Sequence, residues 1–253
     1  MLRFIAQLFR TWNYVVNRLT PEKFRAKVAF HSHDYLRHNC RRLEHLCSLG
    51  IPVSGKTVLE LGAGLGDHSH YFIDRGCQIL ITEARENNLR LLKRRYPDQT
   101  VTLLDLENPP TFLAQTFDIV HCYGLLYHLG NPTEALEYLS ARTAGMLLLE
   151  TCVSFGDEPE INLVPEQRHN PTQAISGRGC RPTRRWIFQT LKSLFRHVYM
   201  PTTQPCHEEF PLDWTRPETH MAPLKRAVFI ASREPLSNAL LVEAIPARQT
   251  RCP

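Results

Sequence analysis

The stretch that decides the fold reads Val58-Leu-Glu-Leu-Gly-Ala-Gly-Leu-Gly-Asp67. A short apolar run, typical of a buried strand, leads into three glycines, and helical periodicity follows from about residue 67. Glycine allows backbone angles that other residues avoid and lets a ligand approach the chain closely. Because ligands of open α/β sheets bind in the crevice at the strand ends, this turn is the first candidate for a binding site.

The pattern on either side of that turn alternates between strands and helices. Strands are predicted at 57–61, 77–82, 100–104, 117–122, 145–150, 197–200 and 226–232. Helices are predicted at 33–48, 67–75, 86–96, 133–142 and 183–195. The strands are short apolar runs, as expected when helices cover both faces of a sheet. We therefore predict an α/β fold with a mostly parallel seven-stranded sheet, helices on both faces and additional N-terminal helices.

The length of 253 residues suits one large α/β domain with attached segments. We predict a helical segment over 1–50 that packs on the core or caps the active site. The main domain is predicted over 51–235, and a loosely ordered tail over 236–253. Residues 151–182 combine turn formers and charges with little periodicity, which predicts a substrate-binding insertion that forms a lid or a disordered loop.

The glycine spacing separates two classes of cofactor that use such a turn. Dinucleotide binders have G-x-G-x-x-G, whose third glycine opens the helix that faces a pyrophosphate. Here the glycines are Gly62, Gly64 and Gly66, and the third dinucleotide position is Asp67. A carboxylate is a poor neighbour for a pyrophosphate, and Glu60 also suits a cationic ligand better. The turn therefore favours a cofactor without phosphates.

At these residues the sequence resembles the class I S-adenosylmethionine-dependent methyltransferase superfamily, whose first motif looks like E-x-G-x-G-x-G. Glu60, Gly62, Gly64 and Gly66 match that motif. The resemblance implies a Rossmann-like three-layer sandwich with S-adenosylmethionine as cofactor. It also implies that this turn, with Ala63, contacts the amino-acid part of the cofactor.

Three later motifs agree with the resemblance. Glu83 ends the second strand about 20 residues beyond the turn, the spacing expected of a ribose acceptor. By similarity, Glu83 would bind the ribose and Ala84 would line the adenine pocket. Asp105 would accept from the adenine amino group beside Leu106, and Cys122 would lie in the strand under the methionine part. Each acid alone could be a simple turn or cap residue.

The turn after the fourth strand reads Tyr123-Gly-Leu-Leu-Tyr-His-Leu-Gly-Asn-Pro132, and we expect the chemistry there. Methyl transfer is a direct displacement, in which the enzyme mainly holds the nucleophile in line with the methyl group. His128 is the candidate base because histidine titrates near neutrality, and Tyr127 and Tyr123 are candidate positioning groups. The alternative is that this turn only packs or contacts the cofactor, as similar H-L sequences do in related methyltransferases.

Three further regions offer substrate contacts. Tyr35 and His38 share one side of a helix that, by resemblance, closes over the cofactor; the alternative is a solvated helix face. Arg178 and Arg181 lie beside glycines and suit an anion, since guanidinium pairs with carboxylate or phosphate; the alternative is a flexible basic loop. Trp214, in a polar segment after a later strand, is a candidate wall of the substrate pocket.

These features predict a small-molecule acceptor, with a hydroxyl oxygen on an anionic metabolite or a sugar as the target. The net charge of +5 does not by itself indicate nucleic-acid binding, and no RNA-binding module is visible, so a nucleic-acid partner is disfavoured. The alternatives left open are an RNA methyltransferase and a non-catalytic cofactor-binding subunit with the same fold. A nicotinamide-dependent oxidoreductase is disfavoured by the glycine spacing.

The eight cysteines form no C-x-x-C pair, which argues against a metal or redox motif, and no signal peptide is visible. We therefore expect a cytoplasmic protein with reduced thiols and no metal. Residues 2–19 carry apolar residues at helical spacing with arginines between them. This segment either packs on the core or lies peripherally on a membrane surface. The sequence leaves the oligomeric state open.

Overall fold

The computed structural model describes residues 22–109 and 114–252. Its helices are α1 Glu22–Phe30, α2 His33–Ser48, α3 Ser69–Ile73, α4 Glu86–Arg95, α5 Pro132–Arg142 and α6 Arg184–Leu194. Its strands are β1 Thr57–Glu60, β2 Gln78–Glu83, β3 Thr100–Leu103, β4 Phe117–Tyr123, β5 Thr143–Cys152, β6 Ile161–Pro165, β7 Arg178–Pro182, β8 His197–Pro201, β9 Thr203–Gln204, β10 Arg226–Ser232, β11 Leu241–Val242 and β12 Thr250–Arg251. Short 3-10 turns occur at Leu126–His128 and Pro217–Thr219.

An eight-stranded sheet forms the centre, in the order β11-β8-β10-β5-β4-β1-β2-β3. Strands β1 to β5 pair in parallel, whereas β10 runs antiparallel to both β5 and β8. The chain places β2 and β3 on one side of β1, and β4 and β5 on the other. The carboxyl end of β1 is therefore the topological switch point, where ligands of such sheets bind. This sheet confirms the predicted α/β, Rossmann-like class.

Apolar side chains fill the space on both faces of the sheet, because each strand alternates its side chains between them. Along β4, Val120 and Cys122 belong to one core cluster, whereas Ile119 and Tyr123 belong to the other. The first cluster includes side chains of α5 and α6, and the second includes side chains of α2, α3 and α4. Helices therefore cover both faces, as the apolar strands predicted.

Local signals determine where two helices around the site begin. Ser32 caps α2, since its hydroxyl accepts from the backbone N–H of Tyr35 at 3.4 Å. Asn131 caps α5 by accepting from the N–H of Glu134 at 3.4 Å. Pro132 then occupies the first turn of α5, where the N–H that proline lacks would have no partner within the helix. Both helix starts are consistent with the sequence prediction within one residue.

The tail after residue 233 differs from the loose segment that we predicted. β11 pairs with β8 as the eighth strand of the sheet, and β12 pairs with β9. The buried Gln249 side chain accepts from the amide of Gln204 at 2.9 Å and from the indole of Trp214 at 2.8 Å. The prediction of a loose tail is wrong, because strands of two residues leave no periodic pattern to read.

The segment 151–182 is also more ordered than predicted. β6 and β7 pair as an antiparallel hairpin. Their connection, residues 166–177, is closed by a hydrogen bond from the Glu166 N–H to the Gly177 carbonyl at 3.0 Å. We call residues 166–177 the strap. The hairpin escaped prediction because most side chains of β6 are exposed and give no alternation of buried and polar residues.

Within residues 22–109 and 114–252, no helix has the length and apolar character needed to cross a membrane. The predicted helix at 2–19, with its proposed contact to a membrane surface, lies outside the described residues. All eight cysteines lie inside them and are free thiols.

Candidate active site

A cleft of about 750 Å³ opens at the carboxyl ends of β1 to β4. A smaller cleft of about 320 Å³ adjoins it, and both share Phe30, Tyr35 and Gly62. We call them the main cleft and the inner cleft. The structure gathers most of the predicted cofactor residues here: the main cleft is lined by Gly62, Gly64, Glu83, Ala84, Asp105 and Leu106, and the inner cleft by Glu60, Gly62 and Ala63.

Glu83 ends β2 and is only 6% exposed. Its Oε2 accepts from the N–H of Gly64 at 2.9 Å, and its Oε1 accepts from the N–H of Arg85 at 2.9 Å and the amide of Asn88 at 3.3 Å. Burial raises the pKa of this carboxyl, and the N–H donors oppose that rise. A carboxylate has about four lone-pair sites, so Oε2 keeps acceptor capacity for a ligand in the main cleft.

The glycine turn depends on backbone that other residues avoid. Gly62, Gly64 and Gly66 have φ values of 63°, 60° and 81°. A Cβ on Gly64 would lie 2.5 Å from the ring of Phe30. Gly66 lines neither cleft, and its carbonyl accepts from the hydroxyl of Tyr96 at 2.5 Å. Gly66 therefore shapes the turn, and the predicted direct contact with the cofactor is not supported.

The inner cleft is strongly polar. Glu60, at the end of β1, accepts from the hydroxyl of Ser69 at 2.5 Å, and burial raises the pKa of Glu60 to about 7. His68, His121 and Tyr123 also line this cleft, and each has a buried polar atom without a hydrogen-bond partner among the described residues. Buried polar atoms are normally satisfied, so these atoms indicate a polar occupant such as a ligand group or water.

Asp105 follows β3 and faces the main cleft. Its Oδ1 accepts from the N–H of Glu107 at 3.0 Å, and its Oδ2 accepts from the amide of Asn108 at 3.2 Å. Leu106 beside it is 5% exposed and adds an apolar wall. A carboxylate next to an apolar wall suits a flat heterocycle that carries an amino group.

The predicted catalytic residues divide between the two clefts. Tyr127 and His128, in the 3-10 turn after β4, line the main cleft, whereas Tyr123 lines the inner cleft. The Nδ1 atom of His128 lies 2.5 Å from Oε2 of Glu166, the first residue of the strap. Burial has the largest influence on the pKa of His128 and lowers it, while Glu166 opposes this effect. The Tyr127 hydroxyl accepts from the buried guanidinium of Arg226 at 3.3 Å.

The two arginines predicted to bind an anion do not form a joint site. Arg181 turns inward: its Nη2 lies 3.2 Å from Oε1 of Glu166, and its Nη1 donates to the carbonyl of Tyr127 at 3.0 Å. Arg178 is exposed and has no ion pair with the described residues. Neither side chain lines the clefts. Arg181 therefore holds Glu166 in place. Because that carboxylate neutralises the charge of Arg181, this arginine is a poor site for a second anion.

Three other residues predicted to make contacts line neither cleft. Trp214 is buried beneath Arg184, whose guanidinium carbon lies 3.7 Å from the ring centroid. Cys122 is fully buried in the core, and His38 is buried against Arg42, whose Nε donates to His38 Nε2 at 3.0 Å. Their predicted contacts with cofactor or substrate stay predictions, because periodicity shows that side chains alternate but does not show which face meets the cleft.

One group of potential metal ligands lies close to the inner cleft. The ligand atoms of His38, His207 and Glu209 all lie within 4.8 Å of one another. Arg42 donates to His38 at 3.0 Å, and Arg226 donates to Glu209 at 2.6 Å. Two guanidinium groups in direct contact with these ligands oppose the binding of a cation. We therefore assign no metal to this group.

The strap lies within the predicted insertion, but sequence reasoning named none of its residues as part of the site. Residues 171–175 line the main cleft opposite the strand ends. Arg85 holds them there, since it donates to the carbonyls of Arg168 at 3.0 Å and Gln173 at 2.8 Å. Phe30 of α1 lines the cleft as well. Arg168 and Gln173 lie 83 and 88 residues from Arg85 in the chain, so no local sequence signal could reveal these contacts.

Comparison with known families identifies the class of this protein. A family model described as a methyltransferase domain matches residues 59–144. That range includes most of the glycine turn and continues through β4 and α5. Together, the sheet order and this match show a methyltransferase domain over residues 59–144 with the Rossmann-like fold of class I S-adenosylmethionine-dependent methyltransferases.

The chain is also similar to curated proteins over about half of its length. The tRNA U34 carboxymethyltransferase of Pseudoalteromonas translucida is 35% identical over 124 residues, which are 47% of this chain and 38% of that protein. The protein of the same name from Hahella chejuensis is 30% identical over 146 residues, which are 54% of this chain and 44% of that protein. The matches therefore span about two fifths of the length of these relatives.

Solved structures share the fold. The N-terminal domain of EvdMO1, crystallised with SAH and D-fucose, has a TM-score of 0.57 and 21% identity over 78% of this chain and 83% of that chain. A putative S-adenosylmethionine-dependent methyltransferase from Listeria monocytogenes has a TM-score of 0.55 and 13% identity over 78% of this chain and 99% of that chain. At these identities the likeness concerns the fold alone.

The relatives contradict our prediction about partners. We predicted a small-molecule acceptor and disfavoured nucleic acid, whereas the similar curated proteins are named for action on tRNA. The prediction against a nucleic-acid partner is therefore wrong. It relied on the modest net charge and on the lack of a separate RNA-binding module. Neither feature reports on an RNA that docks directly on the catalytic domain.

Proposed function

We propose that this protein is an enzyme that uses S-adenosylmethionine to modify a nucleoside in RNA, with tRNA as the substrate class. The observation that carries the cofactor assignment is the buried carboxylate of Glu83 in the wall of a cleft that also holds Asp105. The RNA acceptor is supported by the names of the curated relatives.

The clefts suit the three parts of a nucleoside sulfonium cofactor. Oε2 of Glu83 retains capacity to accept from a ribose hydroxyl, and such charge-assisted hydrogen bonds are short and strong. Asp105 and Leu106 offer an acceptor and an apolar wall to the adenine. The polar inner cleft, next to the glycine turn and Glu60, suits the charged amino-acid end. When bound, the cofactor would supply the electrophilic carbon that is transferred.

A dinucleotide suits the same place poorly. Asp67 lies where the helix would face a pyrophosphate, and its carboxylate contacts Arg95 at 2.6 Å and Asn39 at 3.2 Å. Arg95 offsets part of the charge of Asp67, and both partners fix the carboxylate at the inner cleft, which Asp67 lines. Repulsion between this carboxylate and a pyrophosphate would offset the attraction of any free backbone N–H groups.

An RNA could approach the main cleft from the side of the strap. Arg168, in the strap, and Arg178, directly after it, are both exposed and have no ion pair with the described residues. Free guanidinium groups at the rim of a site can contact phosphates without reading sequence. The overall charge of +5 supports this orientation without requiring a separate binding module.

Labelling tests the proposal. The protein is incubated with S-adenosylmethionine labelled in its methyl group and with a cell extract separated into RNA and small-molecule fractions. We expect nuclease-sensitive label in the RNA fraction, and none with the Glu83→Ala variant as control. Mass spectrometry of the digested nucleosides then shows which nucleoside carries the labelled methyl group. Label confined to the small-molecule fraction would contradict the RNA acceptor.

A further inference from the structure

His128 and Glu166 form a hydrogen-bonded pair that the sequence around neither residue predicts. Glu166 begins the strap, and its Oε2 lies 2.5 Å from Nδ1 of His128. The side chain of Glu166 is 4% exposed and that of His128 is 13% exposed, so the contact is largely shielded from water. A carboxylate at this distance accepts a hydrogen bond, which means that Nδ1 of His128 carries a proton.

The other ring nitrogen of His128, Nε2, differs from Nδ1 in its contacts with the described residues. Nε2 makes no hydrogen bond with the described residues, and the side chain lines the main cleft. With the proton of neutral imidazole on Nδ1, Nε2 presents a lone pair. A histidine whose Nδ1–H is held by a carboxylate has the tautomer and orientation that a general base requires. His128 therefore offers a proton acceptor beside the expected reaction centre.

Other contacts hold Glu166 in place for this contact. Its Oε1 lies 3.2 Å from Arg181, and its Oε2 accepts from the N–H of Ala174 at 2.8 Å. Gly179 leaves room for the carboxylate, because a Cβ there would lie 2.8 Å from Oε1 of Glu166. A carboxylate fixed by three partners has little freedom to turn away, so it can keep the imidazole oriented.

We propose that His128 takes the proton of the acceptor through Nε2 and that Glu166 is the positioning residue that orients and stabilises His128. The proposal rests on the proposed function, since it needs a transferable group in the main cleft. The acceptor is then an O–H or acidic N–H group. Its proton moves to Nε2, its lone pair forms the bond to the transferred carbon, and the electrons of the carbon–sulfur bond remain on sulfur, which leaves as a neutral thioether.

The charges around His128 are consistent with this role. Glu166, Arg181 and Arg226 all act on the imidazole, and the ring of Tyr127 packs at 3.9 Å between centroids. Burial lowers the pKa of His128 most, so the neutral form that can accept a proton predominates at neutral pH. Burial favours the protonated form of Glu166, but its contacts with His128, Ala174 and Arg181 hold the pKa of Glu166 below its ordinary value.

The test measures turnover against pH for the wild-type protein, Glu166→Gln and His128→Gln, with whichever extract fraction accepts the label. Loss of the carboxylate should lower the pKa of His128, so the acidic limb of kcat moves to lower pH in Glu166→Gln. We expect kcat to fall at least about tenfold in Glu166→Gln, and about 10²- to 10⁴-fold in His128→Gln. Binding of S-adenosylhomocysteine should change less than about twofold in both variants.

Imidazole ¹⁵N NMR gives a second readout that does not depend on turnover. In the S-adenosylhomocysteine complex, we expect His128 to be protonated at Nδ1 and bare at Nε2, with a lower pKa in Glu166→Gln. Glu107→Gln is the matched control. Glu107 also binds the strap, through Ser176 at 3.0 Å, but has no hydrogen bond or ion pair with His128 among the described residues. That variant should leave the acidic limb of kcat in place, whatever it does to KM.

The outcomes separate this proposal from the RNA acceptor. An acidic limb that stays in place in Glu166→Gln, or a proton found on Nε2, would overturn the pair as a base. If the label enters RNA but the acidic limb of kcat does not move in Glu166→Gln, the proposed RNA modification stands and only the role of the His128–Glu166 pair is contradicted. If the label enters only small molecules and the acidic limb of kcat shifts in Glu166→Gln as expected, the RNA acceptor is contradicted and the role of the His128–Glu166 pair stands.

Discussion

At the scale of single residues, the cleft depends on glycines, which lack a side chain, as much as on the side chains that line it. Gly64 has a φ of 60°, and the ring of Phe30 occupies the space where a Cβ would lie. The N–H of Gly64 also donates to Glu83. One residue without a side chain thus lets the turn approach both Phe30 of α1 and the carboxylate that we assign to the ribose.

Replacing Gly64 with alanine tests this arrangement, and Gly50→Ala is the matched control. Gly50 has the same φ of 60°, but nothing lies within 4 Å of its Cβ position. Both variants should lose about 1–2 kcal/mol of stability, because L-residues avoid left-handed backbone. Gly64→Ala should lose about 1–3 kcal/mol more through its clash with Phe30.

Thermal unfolding measures the stability, and titration with S-adenosylhomocysteine measures the effect on the cleft. We expect affinity at least about tenfold weaker in Gly64→Ala and unchanged affinity in Gly50→Ala. Equal affinity in the two variants would show that the approach of Phe30 to the turn does not matter for the cofactor.

The sequence predicted residues at strand ends better than residues within elements. Glu83 and Asp105 could be placed because the carboxyl ends of parallel strands meet at one edge of the sheet. Cys122 and Trp214 could not, since the direction of a side chain depends on which face of the sheet or loop meets the cleft. Glu166 gave no signal at all, because its partner His128 lies 38 residues away.

At the scale of elements, the strap connects the cofactor side of the cleft to the acceptor side. Arg85 holds it next to Glu83, and Glu166 holds it next to His128. The sequence predicted a lid or a disordered loop from the lack of periodicity, but it could not predict the hairpin that carries the strap. Contacts across the cleft, rather than local propensity, order this segment.

Replacing Arg85 with alanine should loosen the strap. The variant removes two hydrogen bonds from a charged donor, each worth about 1.5–3 kcal/mol, so we expect amide hydrogen exchange in the strap to quicken at least about tenfold. Arg90→Ala, on the exposed face of helix α4, which directly follows Arg85, is the control and should leave the strap unchanged. Unchanged exchange in Arg85→Ala would mean that the strap is held by other contacts.

At the scale of the whole molecule, the order of the sheet brings the ends of β1 to β4 together and creates the two clefts. Strands of four or more residues in the central sheet and the helices that cover them were predictable, because burial on both faces leaves apolar runs, but the exposed hairpin β6–β7 was not. The two-residue β11 was not. The acceptor was not predictable either, since one fold serves many acceptors and a net charge of +5 does not distinguish an anionic metabolite from RNA.

The central claim is that Glu83 binds the ribose of a nucleoside cofactor in the main cleft. Calorimetric titration of S-adenosylhomocysteine into the wild-type protein, Glu83→Gln and Glu86→Gln tests it most directly. Glu86 is exposed three residues further on and lines neither cleft. We predict affinity about 10- to 100-fold weaker in Glu83→Gln, from the loss of one charged hydrogen bond, and no change in Glu86→Gln. Wild-type affinity in a correctly folded Glu83→Gln variant would contradict the account.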